Sequence, residues 1–347
     1  MKILVISMVL MIAIVVTGCT GSQPASSVAP QSASASASVS PSASASTTSI
    51  ATPAATIEVA SLSGRILFTR VGGRFGDETV YTGNADGSEE RQITEFGATC
   101  CPRWSPDGAY VLYGAMTDDR ITTALVNPDG TPARIIPLPA GDLNLGCAQA
   151  WSIATDRLGC EGWVEGDPEH TGIYTIRAAD GGDVQQVTES VGGNDRPFDF
   201  SPDGSQIFFF RESDQALYVA NVDGTDLQRV TPEDVRVEAI DVGTSGGRLS
   251  RDGQLIVFAD EAGVMWTIRP DGSDLTELYR DPQGRLVVTP TWSPDGSYVM
   301  FGLDPAGSNG NLDDPQLNAL YVANADGSDP TPVIDTDDWK LKPDWAE

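Results

Sequence analysis

One phrase recurs along this chain at a nearly constant period, and that periodicity limits the fold more than any other feature. It reads PRWSPDG from Pro102, FDFSPDG from Phe198, RLSRDG from Arg248 and PTWSPDG from Pro290, and PDWAE from Pro343 begins it again. Ser-Pro-Asp-Gly is turn chemistry: proline presets φ at the first central position and glycine takes the positive φ that other residues avoid. The runs that follow (AYVLYG, QIFFFR, QLIVFA, YVMFG) are rich in β-branched and aromatic residues and predict strands. A second phrase alternates with the first, as in VYTGNADGSEERQIT and LYVANVDGTDLQRVT. Asp-Gly between alternating apolar residues is a strong hairpin signal.

The turn aspartates are Asp86, Asp129, Asp180, Asp223, Asp271 and Asp326, with spacings of 43, 51, 43, 48 and 55 residues. A four-stranded propeller blade takes about 40–50 residues. Six strands precede the hairpins, at Ile66, Tyr110, Leu158, Ile207, Leu255 and Tyr298. Six apolar positions end the first phrase: Trp104, Trp151, Phe200, Leu249, Trp292 and Trp345. The expected fold is therefore all-β, a six-bladed β-propeller of four-stranded antiparallel blades. The chain enters the repeat halfway, at SGRILFTR from Ser63, so the strand missing from the first blade must come from Lys342–Trp345. N- and C-terminal segments would share one blade, which removes the exposed edges of an open array.

The recurring Trp-Ser-Pro-Asp-Gly with LYVANVDG-type hairpins resembles the TolB-type β-propeller repeat over residues 61–347. The resemblance implies the propeller fold and no particular chemistry, since this architecture hosts many functions. TolB proteins are periplasmic and carry an additional N-terminal α/β domain; here a Ser/Ala/Pro-rich tract stands in that place.

That N-terminal part is read as two segments. Lys2 and the 15-residue apolar run Ile3 to Thr17 have the form of a signal peptide, being short for a membrane span of about 20 residues. Val16-Thr17-Gly18-Cys19 resembles a bacterial lipobox, which implies cleavage after Gly18 and lipidation of Cys19. Residues 1–18 are the expected signal peptide, 19–60 a disordered tether and 61–347 the propeller. The tether, with its SASASASVSPSASAS stretch, has little that could form a core. The expected location is the outer face of the cytoplasmic membrane or a periplasm-facing surface, held by lipid alone.

Charge narrows the partners. With 49 acidic and 21 basic residues the formal net charge is −28. Nucleic-acid affinity comes largely from Lys and Arg on phosphates, so that class is excluded; docking on anionic lipid is disfavoured for the same reason. His170 is the only histidine, in GDPEHTG, and reads as a solvent-exposed loop residue. An α/β-hydrolase domain of about 200 further residues, which would carry a nucleophile for it, is not read in the sequence, so no catalytic residue and no cofactor is assigned. NADGSD at Asn324 reads as a tight turn, since a calcium loop needs an acid at its first position and strands flank this one. Loops leading into the Trp phrase carry Asp142, Asp195, Asp241, Asp281 and Asp337, the candidate channel carboxylates for a cation. Arg196, Arg236, Arg248 and Arg285 share those loops.

Four cysteines remain after Cys19: Cys100, Cys101, Cys147 and Cys160. An exported chain with an even number suggests disulfides. A Cys147–Cys160 bond across adjacent strands is favoured, and Cys101–Cys147 across neighbouring blades is the alternative. Aromatics at fixed phase (Trp104, Trp292, Phe209, Phe258, Phe301) read as inter-blade core; Phe75, Phe96, Trp163 and Trp339 are off phase and are better ligand candidates.

Two functions stay open. One is a monomeric, non-catalytic binding or scaffold module for an envelope protein, peptide or glycan. The alternative is a metal-dependent propeller enzyme of lactonase or sugar-dehydrogenase type.

Overall fold

The structure, a computed structural model, describes residues 56–71, 78–94, 102–117, 120–190, 194–238, 246–304, 319–335 and 339–347. The signal segment, Cys19 and most of the tether lie outside the described residues, as do Phe75, Phe96, Cys100, Cys101, Asp241 and Asp337.

Six four-stranded antiparallel sheets follow one another. After a short 3-10 turn at Val59–Ser61, β1 (Arg65–Val71), β2 (Glu78–Asn84) and β3 (Arg91–Gln92) belong to the first blade. Blade two is β4 (Arg103–Trp104), β5 (Val111–Thr117), β6 (Arg120–Val126) and β7 (Pro132–Ile135). Blade three is β8 (Leu143–Ser152), β9 (Arg157–Val164), β10 (Asp167–Arg177) and β11 (Gln185–Gln186). In blade four come β12 (Asp195–Phe200), β13 (Gln206–Arg211), β14 (Ala216–Asn221) and β15 (Gln228–Arg229). Blade five holds β16 (Gly247–Leu249), β17 (Ile256–Ala259), β18 (Met265–Ile268) and β19 (Thr276–Tyr279). Blade six holds β20 (Leu286–Trp292), β21 (Tyr298–Asp304), β22 (Ala319–Asn324) and β23 (Thr331–Asp335). The last strand, β24 (Trp339–Ala346), returns to pair with β1, so the first sheet runs β24-β1-β2-β3. Ile66 faces Trp345 in that pairing, and the Trp345 indole N–H donates to the Ser63 carbonyl at 3.0 Å. The shared blade and the six-bladed ring are as the repeat phase requires.

Local chemistry repeats with the blades. In the first phrase Gly108 N–H donates to the Ser105 carbonyl at 2.7 Å, and the Ser105 hydroxyl donates to Asp107 Oδ1 at 2.6 Å. Serine, aspartate and glycine therefore close one turn, which is why the three recur together. In the second phrase Gly87 N–H donates to the Asn84 carbonyl and Asn84 N–H to the Ser88 carbonyl, both at 2.9 Å. This is a three-residue loop with glycine in the left-handed region, φ 82° at Gly87, and not a two-residue Asp-Gly turn. Asp86 accepts from both the Ser88 N–H and hydroxyl, 2.9 and 2.6 Å. The Asn-x-Asp-Gly-Ser/Thr spacing is thus one hydrogen-bonded unit. At Gly327 a second demand is added: a Cβ there would lie 1.9 Å from the Leu278 carbonyl oxygen of blade five.

The core lies between blades. Six apolar clusters occupy the six interfaces: Leu67, Val80 and Ile93 of blade one, for example, pack against Trp104, Val111 and Val126 of blade two. Phe208, Phe210 and Ile256, Phe258 join blades four and five, and Ile66, Phe68 and Met300, Leu320 join blades one and six. Trp104, Trp292, Phe209, Phe258 and Phe301 are all buried, as their fixed phase indicates. No helix among the described residues is long and apolar enough to cross a membrane.

One cysteine expectation is corrected. Cys160 is a free, buried thiol, so it makes no bond with Cys147. Cys147 is disulfide-bonded, with its partner outside the described residues. Register is the reason. Cys160 faces Ala148, not Cys147, across β8 and β9. Neighbours along a strand point to opposite faces, so a one-residue offset separates the two sulfurs.

Candidate functional site: an axial funnel

The innermost strand of each blade carries, just before the apolar residue of the first phrase, one residue that lines the ring axis. These are Asp344, Arg103, Ala150, Asp199, Arg248 and Thr291 in blade order. They surround a funnel of ≈ 200 Å³ on the face formed by the Ser-Pro-Asp-Gly turns. The order Asp-Arg-Ala then Asp-Arg-Thr repeats after three blades, which sets like residues opposite one another.

Both aspartates reach to the next blade. Asp344 Oδ2 accepts from the Trp104 N–H at 2.7 Å, and Asp199 Oδ2 accepts from the Leu249 N–H at 2.9 Å. Each of those N–H groups is adjacent to an arginine, Arg103 or Arg248. Arg103 also crosses the funnel, donating from Nη2 to the Phe198 carbonyl at 2.9 Å. Desolvation raises the Asp199 carboxyl above its ordinary range; Arg103, Arg248 and the Leu249 N–H oppose this, and Asp344 adds to it.

Three tryptophans of the first phrase differ in how their indole N–H is satisfied. Trp292 donates to the Arg248 carbonyl at 3.2 Å and Trp345 to Ser63. The Trp104 indole Nε1–H is buried without a hydrogen-bond partner among the described residues, while the Arg65 guanidinium lies over its ring at 4.7 Å. At the funnel mouth Arg251 of blade five pairs with the Glu347 carboxylate. Two clefts flank the mouth, of ≈ 450 and ≈ 540 Å³, and both include Pro294 and Asp295.

Of the five carboxylates expected to gather at the axis, Asp195, Asp281 and Asp142 are among the described residues. Asp195 is buried and bidentate to Arg211 at 2.8 and 2.7 Å, its register partner on β13, with the Thr188 hydroxyl at 2.8 Å. Asp281 is buried against Arg285 at 2.8 and 3.2 Å, and also accepts from Tyr279 and two backbone N–H groups. Burial raises the Asp281 pKa, but these hydrogen bonds outweigh it and leave the carboxyl below its ordinary value. Asp142 is exposed. Among the described residues no three acidic, histidine or cysteine side chains cluster as metal ligands. His170 is exposed on β10 with Nδ1 2.8 Å from Asp167. Trp163 lines a small cleft with Glu161 and Asp195.

No family model matches the chain. Over 215 residues, 59% of its length, it is 28% identical to tricorn protease homolog 1 of Streptomyces coelicolor, and it spans about a fifth of that relative (19%). Among solved structures it is similar to TolB from Acinetobacter baumannii, with a TM-score of 0.60 and 18% identity over 82% of this chain and 66% of that one. It is also similar to an oligogalacturonate lyase in complex with manganese, with a TM-score of 0.53 and 17% identity over 79% of this chain and 74% of that one. Six four-stranded blades, a closing strand from the chain's far end and these likenesses give the folded part the fold of a TolB-like six-bladed β-propeller.

Proposed function

We propose that this protein is a binding or scaffold module of the cell envelope, tethered through lipidated Cys19 and presenting its propeller to a protein, peptide or glycan. The observation that carries this reading is the axial funnel, to which all six innermost strands contribute a residue. Ligand sites favour concave places where several elements converge and offer a few polar groups among apolar walls. The likeness to TolB structures supports a propeller whose loop-rich face serves recognition. An acidic surface with a formal charge of −28 keeps such a domain from adhering to nucleic acid or anionic lipid.

Expression of the full chain in a bacterial host, followed by membrane fractionation and in-cell cross-linking, tests the reading. A protein that fractionates with membranes, loses that behaviour when Cys19 becomes alanine, and cross-links to a discrete partner supports it. Purely soluble, partner-free behaviour overturns it. A metal-dependent enzyme is the second reading, favoured by the likeness to a manganese-bound lyase. A stoichiometric divalent ion retained through purification, lost with a carbohydrate-cleaving or lactone-hydrolysing activity on chelation, would replace the binding reading.

A further inference from the structure

The funnel wall holds a donor without an acceptor among the described residues, the Trp104 indole N–H. The same wall carries Arg103 and Arg248, and the mouth Arg251. A guanidinium offers five N–H donors and no acceptor. Of the facing carboxylates, Asp199 and Asp344 each commit Oδ2 to a backbone N–H of the next blade. Arg103 is itself nine-tenths buried, with 9% exposure. Beside it the Trp104 indole Nε1–H is buried with no acceptor among the described residues, a state that costs free energy until one is supplied. Three arginines converging on one cavity also run against the chain's composition, in which acids outnumber bases 49 to 21.

We infer that the funnel is a receptor site for a carboxylate group. The mouth already shows the chemistry: Arg251 holds the carboxylate of Glu347, whose side chain is 74% exposed. An exposed ion pair of this kind contributes little and is readily exchanged. A ligand carboxylate displaces Glu347, enters between Arg103 and Arg248, and gives the Trp104 edge its acceptor. A volume of ≈ 200 Å³ lies below the usual range of about 300–1,000 Å³ for whole small molecules. The site therefore takes a single acidic group: a free small carboxylate, or the acidic side chain or chain end of a peptide. This rests on the binding reading above and gives its recognition site a chemistry.

The test titrates the full chain with glutarate, with glutaramide, and with a short aspartate-rich peptide. The readouts are tryptophan fluorescence and the indole N–H resonance that disappears in Trp104→Phe. The proposal expects glutarate or the peptide to bind and glutaramide not to. Arg103→Lys should weaken binding about tenfold or more, since the bidentate fork is lost. Arg103 is buried and its variant can misfold, so the exposed mouth supplies a second pair. Arg251→Gln should weaken binding, and Glu347→Gln should tighten it several-fold by removing the internal competitor. Binding of glutarate as tight as that of the peptide assigns the site to small carboxylates; binding of the peptide alone assigns it to a partner segment. Equal binding of glutarate and glutaramide, no binding of either acidic probe, or indifference to both mouth variants overturns the proposal. A cross-linked partner retained by Arg251→Gln and Glu347→Gln chains would leave the envelope-module reading intact while removing this one.

Discussion

Asp344 accepts a hydrogen bond from the backbone N–H of Trp104 at 2.7 Å, across 240 residues of chain and from one blade to the next. Asp199 does the same for Leu249, 50 residues on. The innermost strand of a blade is an edge at the axis, and its N–H groups need acceptors. An aspartate from the preceding blade supplies one at two of the six junctions. These contacts belong to both ring closure and the funnel wall, so the stability of the ring and the shape of the site share residues.

Removing that acceptor should loosen the ring. Asp344→Ala leaves the Trp104 N–H without an acceptor, and hydrogen bonds to charged groups are worth about 1.5–3 kcal/mol. Urea denaturation should show a loss of that order with an unchanged m-value. Asp199→Ala should cost less, because desolvation already disfavours its carboxylate. Equal losses at the two sites would contradict this ranking.

Ring closure itself is tested by truncation. Deleting residues 340–347 removes most of β24, exposes β1, and takes away Trp345, which stacks on Tyr298 at 6.4 Å. Its melting temperature should fall far below that of a chain lacking residues 30–37 of the tether. Matching melting temperatures would mean that the shared blade does not carry the fold.

Much of this architecture could be read from the repeat, because blade count and closure depend only on phase, and phase is written in Trp104, Asp86 and their equivalents. The site was less legible. Asp195 and Asp281 look like free loop carboxylates in sequence, yet strand register gives Asp195 to Arg211 and a turn gives Asp281 to Arg285. Their partners lie 16 and 4 residues away, and only the fold says which arginine arrives. A signal for the funnel was present: the residue before each apolar repeat position runs Arg103, Ala150, Asp199, Arg248, Thr291, Asp344. Reading it requires knowing that this position faces the axis. The cysteine pairing failed on one residue of register, which a bulge in β8 shifts and which no spacing rule reveals.

The glycines of the hairpins separate two costs. Gly327 has φ 79° and would bring a Cβ within 1.9 Å of the Leu278 carbonyl; Gly296 has φ 70° with open space around it. Gly296→Ala should cost only the left-handed backbone term, about 1–2 kcal/mol. Gly327→Ala should cost clearly more, since the backbone of blade five must also move. Thermal denaturation of the two variants gives the comparison directly, and equal shifts would refute the close-approach argument.

Acid should act in two opposite ways. Asp86, Asp223, Asp271 and Asp326 are held below their ordinary pKa by the hydroxyl and then the N–H of the Ser or Thr two residues on, and Asp203 lies at about 2, held first by the Ser201 hydroxyl and then by the N–H and hydroxyl of Ser205. Their contribution is complete above the unfolded value of about 3.9 and is lost as pH falls through the folded values. Asp199, Glu161 and Glu238 are raised, in each case first by desolvation. Their penalty is present above the folded pKa and is relieved as pH falls towards the unfolded value. Melting temperature should therefore rise slightly on acidification from neutral pH, then drop steeply below about pH 4. Asp223→Asn should soften only the steep limb.

The thiols offer the last separation. Burial pushes the Cys160 thiol up to about 12, with Glu161 adding to the shift. A thiol in that state is almost wholly protonated at neutral pH and unreactive. Alkylation of the native chain should leave Cys160 unmodified, while alkylation after denaturation without reductant should label it. Peptide mapping of the same sample should find Cys147 in a cross-linked peptide, joined to the segment containing Cys100 and Cys101. Because that bond would tie the inner strand of blade three to the chain just ahead of β4 in sequence, reduction should lower the melting temperature, and Cys147→Ser should reproduce the loss. A Cys160 that labels in the native state would contradict its burial on β9, and a Cys147 recovered as a free thiol would remove the disulfide.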